Sequence, residues 1–248
     1  MSNAIESKQL KNNAVQKEAS EINRYRLVIF DLDGTLLDTL PDLAAAVNHA
    51  LTTHKRSARS IDEVRRFISN GVRKLIARAL FITSKSKDND DYVIGDERLY
   101  EAVFGDFVKY YLEHVSDHTG VYGGMPRLVS ELKRRGIMTA VVTNKREDAA
   151  VRLMDRFFPD CFTYVYGDGP DRQRKPSPDS VIKIMEQLGV EKQEAVYVGD
   201  SDVDLLTAYN AGIDSILVTW GYRSRPFLVD AGGRVIVDTP QELEMMIC

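Results

Sequence analysis

The stretch LVIFDLDGTLLDT, Leu27 to Thr39, decides the reading of the whole chain. Four apolar residues, Leu27 to Phe30, run straight into Asp31 and Asp33, which flank a single leucine, and Gly34 and Thr35 follow at once. Two carboxylates this close repel each other, and a turn by itself requires neither of them. An apolar run that delivers paired acids and then turns sharply points to chemistry at the end of a strand.

Outward from that stretch the same kind of run recurs. IMTAVVTN, FTYVYG, AVYVGD, SILVTW and RVIVD are short, rich in β-branched and aromatic residues, and do not alternate in polarity. Strands covered on both faces have this pattern. Between the runs lie PRLVSELKRRG, REDAAVRLMDRFF, PDSVIKIMEQLG and VDLLTAYNAG, which carry a helical period, and several stop at glycine. Strand–helix alternation predicts an α/β fold: a Rossmann-like core with a parallel sheet flanked by helices. One region breaks the rhythm. From Pro41 to Tyr122 no strand-like run occurs, and PDLAAAVNHALTTH, IDEVRRFI, GVRKLIARALF and DERLYEAVFGDFVKYYLEHV all read as helices, with SKSKDNDDYVIGD as a polar connection. The expected organisation is a polar, flexible segment over 1–24, a core over 25–40 and 122–248, and an all-helical cap over 41–121, inserted after the first strand.

Composition sets bounds on function. The chain has 248 residues, 44% hydrophobic and 28% charged, with a formal net charge of −4. A mildly acidic chain offers no general attraction to nucleic acid or to an anionic membrane. No stretch approaches the ~18 consecutive apolar residues of a membrane span, and the polar head has no apolar signal core. The two cysteines, Cys161 and Cys248, have no metal-type spacing and read as reduced thiols, so the expected location is cytoplasmic.

In open parallel sheets, ligands bind outside the carboxyl ends of the strands. At those ends stand Asp31 and Asp33; Thr143, Asn144 and Lys145; Lys175; and Gly199, Asp200, Ser201, Asp202 and Asp204. Singly, each reads as a turn, a helix cap or a surface charge. Together, in this order and after successive buried runs, they read as one site. Carboxylates converging on a point need a cation, and an all-oxygen donor set suits Mg²⁺. The absence of clustered His and Cys argues against zinc. A hydroxyl, amides and a lysine suit the oxygens of a phosphoryl group, and a carboxylate is a known nucleophile toward phosphorus.

DLDGT, TNK, KPSPD and GDSDVD, in that order, resemble the four motifs of the haloacid dehalogenase superfamily of phosphohydrolases, and the resemblance runs from about Leu27 to about Arg225. It implies that Asp31 is the nucleophile and a Mg²⁺ ligand. Asp33 is implied as the general acid/base, with its backbone carbonyl on the metal. Thr143 and the amide of Asn144 would hold the phosphoryl group. Lys175 would neutralise nucleophile and phosphate, Asp200 would complete the metal ligands, and Asp204 would stand behind them. An acid at position 33 favours phosphate esters over carbon–halogen substrates. PDLAAAVNHAL, SNGVRKLIARAL, VYGGM and WGYR resemble the phosphoglycolate phosphatase group, which implies a small phosphorylated acid such as 2-phosphoglycolate as substrate. Gly34 and, from the cap, Asn70 and Arg73 are the further candidates for substrate contact. The long polar connection from Ser84 to Asp96 and Thr39, where many relatives carry Ser, depart from the group's pattern. A sugar-phosphate mutase, a pyrophosphatase or nucleotidase, and a non-catalytic phosphate-binding module are the competing readings.

Overall fold

The computed structural model describes residues 24–68, 71–80, 96–170 and 172–248. Six parallel strands form one sheet in the order β5–β4–β1–β6–β7–β8. They are β1 (Leu27–Phe30), β4 (Met138–Arg146), β5 (Tyr164–Asp168), β6 (Ala195–Gly199), β7 (Asp214–Val218) and β8 (Ile236–Val237). All six coincide with the apolar runs. Their lack of polar alternation has a direct cause. Val28 and Phe30 point into one apolar cluster, while Leu27 and Ile29 point into the other. In β6, Val196 and Val198 join the first cluster, and Ala195 and Tyr197 the second. Each central strand therefore feeds two cores, one on each face, and no position is left for a polar residue.

Helices cover both faces: α5 (Met125–Arg134), α6 (Glu147–Phe157), α7 (Asp179–Leu188), α8 (Asp202–Ala211), α9 (Arg225–Asp230) and α10 (Pro240–Ile247). Between β1 and β4 stands the helical block: α1 (Leu40–Thr53), α2 (Ile61–Phe67), α3 (Val72–Leu80) and α4 (Glu97–Glu113). Its buried side chains, among them Val47, Leu75 and Phe107, belong to the same cluster as Val28 and Phe30. No helix among the described residues is long and apolar enough to cross a membrane.

One feature corrects the expected pattern. The stretch up to Tyr122 is not free of strand: β3 (Gly120–Val121) pairs antiparallel with β2 (Leu37–Asp38). These two short strands carry the chain out to the helical block and back, and two residues are too short to show a period. Ser69, Asn70 and residues 81–95, which include all of the polar connection but Asp96, lie outside the described residues.

The sheet order reverses at β1, which has β4 on one side and β6 on the other. That reversal opens a crevice at the carboxyl ends of β1, β4 and β6. β4 is irregular just there. Val142 aligns with Tyr166, yet Arg146 aligns with Asp168, so β4 uses four residue steps against two on β5. Gly167 permits this crowding, since a Cβ there would lie 2.5 Å from Glu147 Cα and 2.7 Å from the Lys145 carbonyl oxygen.

Candidate active site

Asp31 follows β1 directly, and its amide donates to the Val198 carbonyl of β6 at 2.8 Å, which fixes it at the crevice. The residue is 7% exposed. Lys175 Nζ lies 2.9 Å from Asp31 Oδ1 as an ion pair and donates to Asp204 Oδ1 at 2.6 Å. The Asp31 contact lacks hydrogen-bond alignment, so Oδ1 is buried without an aligned donor. Burial pushes the Asp31 carboxyl up to about 6, against the opposing pull of Lys175. Burial would also discharge Lys175, but Asp204 and Asp31 outweigh it and hold the ammonium well above its ordinary value.

Asp204 is fully buried and fully engaged. Its Oδ1 accepts from Lys175, and its Oδ2 accepts from the Asp200 amide (3.1 Å), the Ser201 amide (3.0 Å) and the Ser201 hydroxyl (2.6 Å). Asp200 is different. Its Oδ2 accepts from the Tyr222 amide at 2.6 Å, and among the described residues no donor reaches its Oδ1. Burial, then Asp204 and Asp31, push its carboxyl well above the usual range. One carboxylate oxygen from each of Asp31, Asp200 and Asp204 lies within 4.8 Å of the others. A buried, oxygen-only cluster, in which Asp31 Oδ1 lacks an aligned hydrogen-bond donor and no described donor reaches Asp200 Oδ1, fits a hard divalent cation. The saturated Asp204 fits a role behind the ligands, holding Lys175 and the Asp200 loop in place.

Asp33 stands on the other side of the turn. Its Oδ1 accepts from the Thr39 hydroxyl at 2.5 Å and from Lys145 Nζ at 2.8 Å. Thr39 occupies the N-cap position of α1 but makes no side-chain cap, because its hydroxyl is spent on Asp33. Lys145 Nζ also bonds the Tyr111 hydroxyl of α4. Burial works against the Lys145 charge, but Asp33 and Tyr111 overcome it and hold the ammonium well above its ordinary value. Thr143 accepts the Lys145 amide on its hydroxyl at 3.2 Å, leaving its own O–H to donate. Asn144 clamps the Lys175 peptide from both sides: Oδ1 accepts the Lys175 amide (2.8 Å) and Nδ2 donates to the Lys175 carbonyl (3.1 Å).

The sequence model of the haloacid dehalogenase-like hydrolases matches residues 28–218, a span that contains every group just described except Tyr222. The chain belongs to that family. A phosphoglycolate phosphatase of Pseudomonas aeruginosa is 36% identical over 219 residues, 88% of this chain and 78% of that protein. One from Aquifex aeolicus is 34% identical over 198 residues, 79% of this chain and 86% of that protein. The crystal structure of a candidate phosphoglycolate phosphatase from Lactobacillus delbrueckii subsp. bulgaricus superposes with a TM-score of 0.85 at 34% identity, covering 90% of this chain and 98% of that one. Within the haloacid dehalogenase-like hydrolases the chain is thus phosphoglycolate phosphatase-like, an enzyme of the phosphoric monoester hydrolase class.

In this family member the four motifs converge as their spacing predicts: Asp31, Asp33, Thr143, Asn144, Lys175 and Asp200 all line one cavity of about 100 Å³. A cavity of that order suits a small substrate. Leu43, Ile68, Gly71, Val72, Leu75 and Tyr111 of the helical block form its other wall. Two expected substrate residues fall elsewhere. Arg73 does not line the cavity; it pairs with Glu101 at 2.7 Å and lies over the Phe104 ring, 4.3 Å from its centroid. One residue step on a helix is about 100°, so the turn that aims Val72 and Leu75 inward aims Arg73 along the outer surface. Gly34 has its amide committed to the Leu37 carbonyl at 2.9 Å, which leaves no donor for a substrate. Its role is spatial: φ is +86°, and a Cβ would lie 2.4 Å from Asp200 Oδ2. Asn70 lies outside the described residues.

Sequence reasoning placed Lys145 at a strand end and noted Thr39 but gave neither a role, and it gave none to Tyr111 and Tyr222. Lys145 had a legible signal. It stands two residues after Thr143, and alternate residues of a strand share a face. Tyr111 had none, since an aromatic inside an amphipathic helix reads as core.

Proposed function

We propose that this enzyme is a Mg²⁺-dependent phosphatase of a small phosphorylated acid, with 2-phosphoglycolate as the best candidate, working through an aspartyl-phosphate on Asp31. The observation that supports it most is the division of labour at the end of β1. Asp31 has a buried oxygen free of aligned donors beside Lys175, and Asp33 has Oδ1 pinned by Thr39 and Lys145 while no described donor takes its Oδ2. An Asp31 oxygen attacks phosphorus, and the bond from phosphorus to the ester oxygen breaks. Asp33 gives the proton on Oδ2 to the departing alkoxide, which leaves as the alcohol. Asp33, now ionised, takes a proton from water as that water attacks the aspartyl-phosphate. Inorganic phosphate leaves and the Asp31 carboxylate is restored. The Thr143 hydroxyl and the Lys175 ammonium face the non-transferring oxygens and offset the charge that builds there. Asp31, Asp200 and the Asp33 backbone carbonyl would hold Mg²⁺, which supplies further charge neutralisation and orients the phosphoryl group.

The substrate part rests on the relatives named phosphoglycolate phosphatase and on the small cavity. In this reading residues 41–121 act as a cap that closes the cavity against water. Phosphate release from 2-phosphoglycolate, hexose phosphates, nucleotides and pyrophosphate, each with Mg²⁺ and with EDTA, tests both parts. The expected result is metal-dependent release with a strong preference for 2-phosphoglycolate. Activity spread over other esters keeps the mechanism and discards the substrate. Asp31→Asn is expected to fall below about 10⁻³ of wild-type turnover with an unchanged melting profile. Substantial residual turnover would sink the nucleophile assignment.

A further inference from the structure

Among the described residues four cations line the cavity: Lys145, Arg146, Lys175 and Arg223. Three of them already face carboxylates. Lys175 sits between Asp31 and Asp204, Lys145 bonds Asp33, and Arg146 pairs with Asp148 at 2.8 Å. Arg223, in the loop between β7 and α9, has no carboxylate partner among the described residues. Its Nη2 donates to the Ile68 carbonyl at 2.7 Å, and its Nε is buried with no hydrogen-bond partner among the described residues. A buried guanidinium donor without an acceptor is a group that folding alone does not explain.

The loop holding Arg223 is rigidly placed. Trp220 Nε1 donates to the Thr35 carbonyl at 3.1 Å, the Tyr222 amide donates to Asp200 at 2.6 Å, and the Tyr222 hydroxyl meets the Thr39 hydroxyl at 3.0 Å. Arg223 therefore follows directly on residues that touch both ends of the catalytic turn. From the facing wall, Ile68 leaves α2 in an extended conformation, which presents its carbonyl to Arg223. Arg78, buried, donates to the neighbouring Phe67 carbonyl at 2.7 Å and steadies that segment.

We infer that Arg223 is the specificity residue of this site: it binds the second acidic group of the substrate, a carboxylate, at the end of the cavity away from the phosphoryl group. This rests on the small-phosphorylated-acid reading given above. A planar guanidinium with free donors matches a carboxylate, and it is the only cavity cation not already matched to one among the described residues. The recognition of the acid then comes from the core loop and not from Arg73, which faces outward on the helical block.

The test compares 2-phosphoglycolate with ethyl phosphate, which has the same phosphoryl group and no carboxylate, on full-length protein with Mg²⁺. Wild-type preference for the acidic ester is measured first. Arg223→Met is expected to raise KM for 2-phosphoglycolate roughly 10- to 100-fold, the worth of a hydrogen bond to a charged group, with a much smaller change in kcat. The ratio of kcat/KM between the two esters should collapse toward one, and Arg223→Lys should recover part of it. If wild type prefers the acid and Arg223→Met keeps the preference, the inference fails while the substrate reading stands. Equal losses on both esters would make Arg223 a structural residue and also overturn it. If wild type shows no preference for the acid, the substrate reading falls and this inference falls with it.

Discussion

The Lys145 side chain, 3% exposed, is held between an acid of the core and a phenol of the helical block. Its position gives it leverage over Asp33 without contact with Asp31. By bonding Oδ1 together with Thr39, it leaves Oδ2 as the oxygen that can carry a transferable proton. Lys145→Met keeps the length of the chain and removes the charge. Its kcat should fall roughly 10- to 100-fold, the range of a disturbed general acid, with a smaller change in KM. Steady-state kinetics on the best ester checks this, and an unaltered kcat would show that Thr39 alone orients Asp33. The contrast with Arg73 is instructive at the same scale. Both are cations near the motifs, but Lys145 lies on the inward register of β4 and Arg73 on the outward turn of α3.

At the scale of elements, the junction between core and helical block depends on Asp42 in the first turn of α1. It is 2% exposed and accepts from the amides of His118 (3.0 Å) and Thr119 (2.8 Å) and from the Thr119 hydroxyl (2.8 Å). The helix that leaves the core is thus tied to the strand that returns to it. Burial alone would push the Asp42 carboxyl up, but the bonds from Thr119 and His118 together outweigh it and hold the pKa below its ordinary value. A depressed carboxylate contributes stability above its unfolded pKa and loses it as pH falls through the folded one. Wild type should therefore lose stability from about pH 5 downward more steeply than Asp42→Asn, whose stability at neutral pH should be lower by about 2–4 kcal/mol. Urea denaturation at neutral and acidic pH measures both effects. Parallel pH profiles for the two proteins would remove Asp42 from the account.

For the whole molecule, the crevice at the sheet reversal gathers three buried carboxylates around one point, and without a metal ion Lys175 offsets their repulsion only in part. Mg²⁺ should raise the melting temperature relative to EDTA. At a hundredfold excess over Kd the gain is about 2.7 kcal/mol, or several degrees for a chain of this size. Asp200→Asn removes one of the repelling charges and a ligand together. It should melt higher than wild type in EDTA and show little further rise with Mg²⁺. An Mg²⁺-induced rise equal to that of wild type would place the cation elsewhere.

Residue order determined a great deal here. Short runs apolar on both registers, rich in β-branched residues and alternating with helical segments, are the pattern of strands covered on both faces, so the parallel sheet was legible in the sequence. Acids, hydroxyl and lysine at successive strand ends had to share one edge, because parallel strands end on the same side. The helical block was legible from its period, and its short connecting strands were not, because two residues carry no period. Only the tertiary structure decided which neighbours of the motifs serve the site. Whether Lys145, Tyr111, Tyr222 and Arg223 reach the cavity, and Arg73 does not, depends on strand bulging, helix rotation and loop placement. Those are set by packing between segments far apart in the chain, which local sequence does not encode.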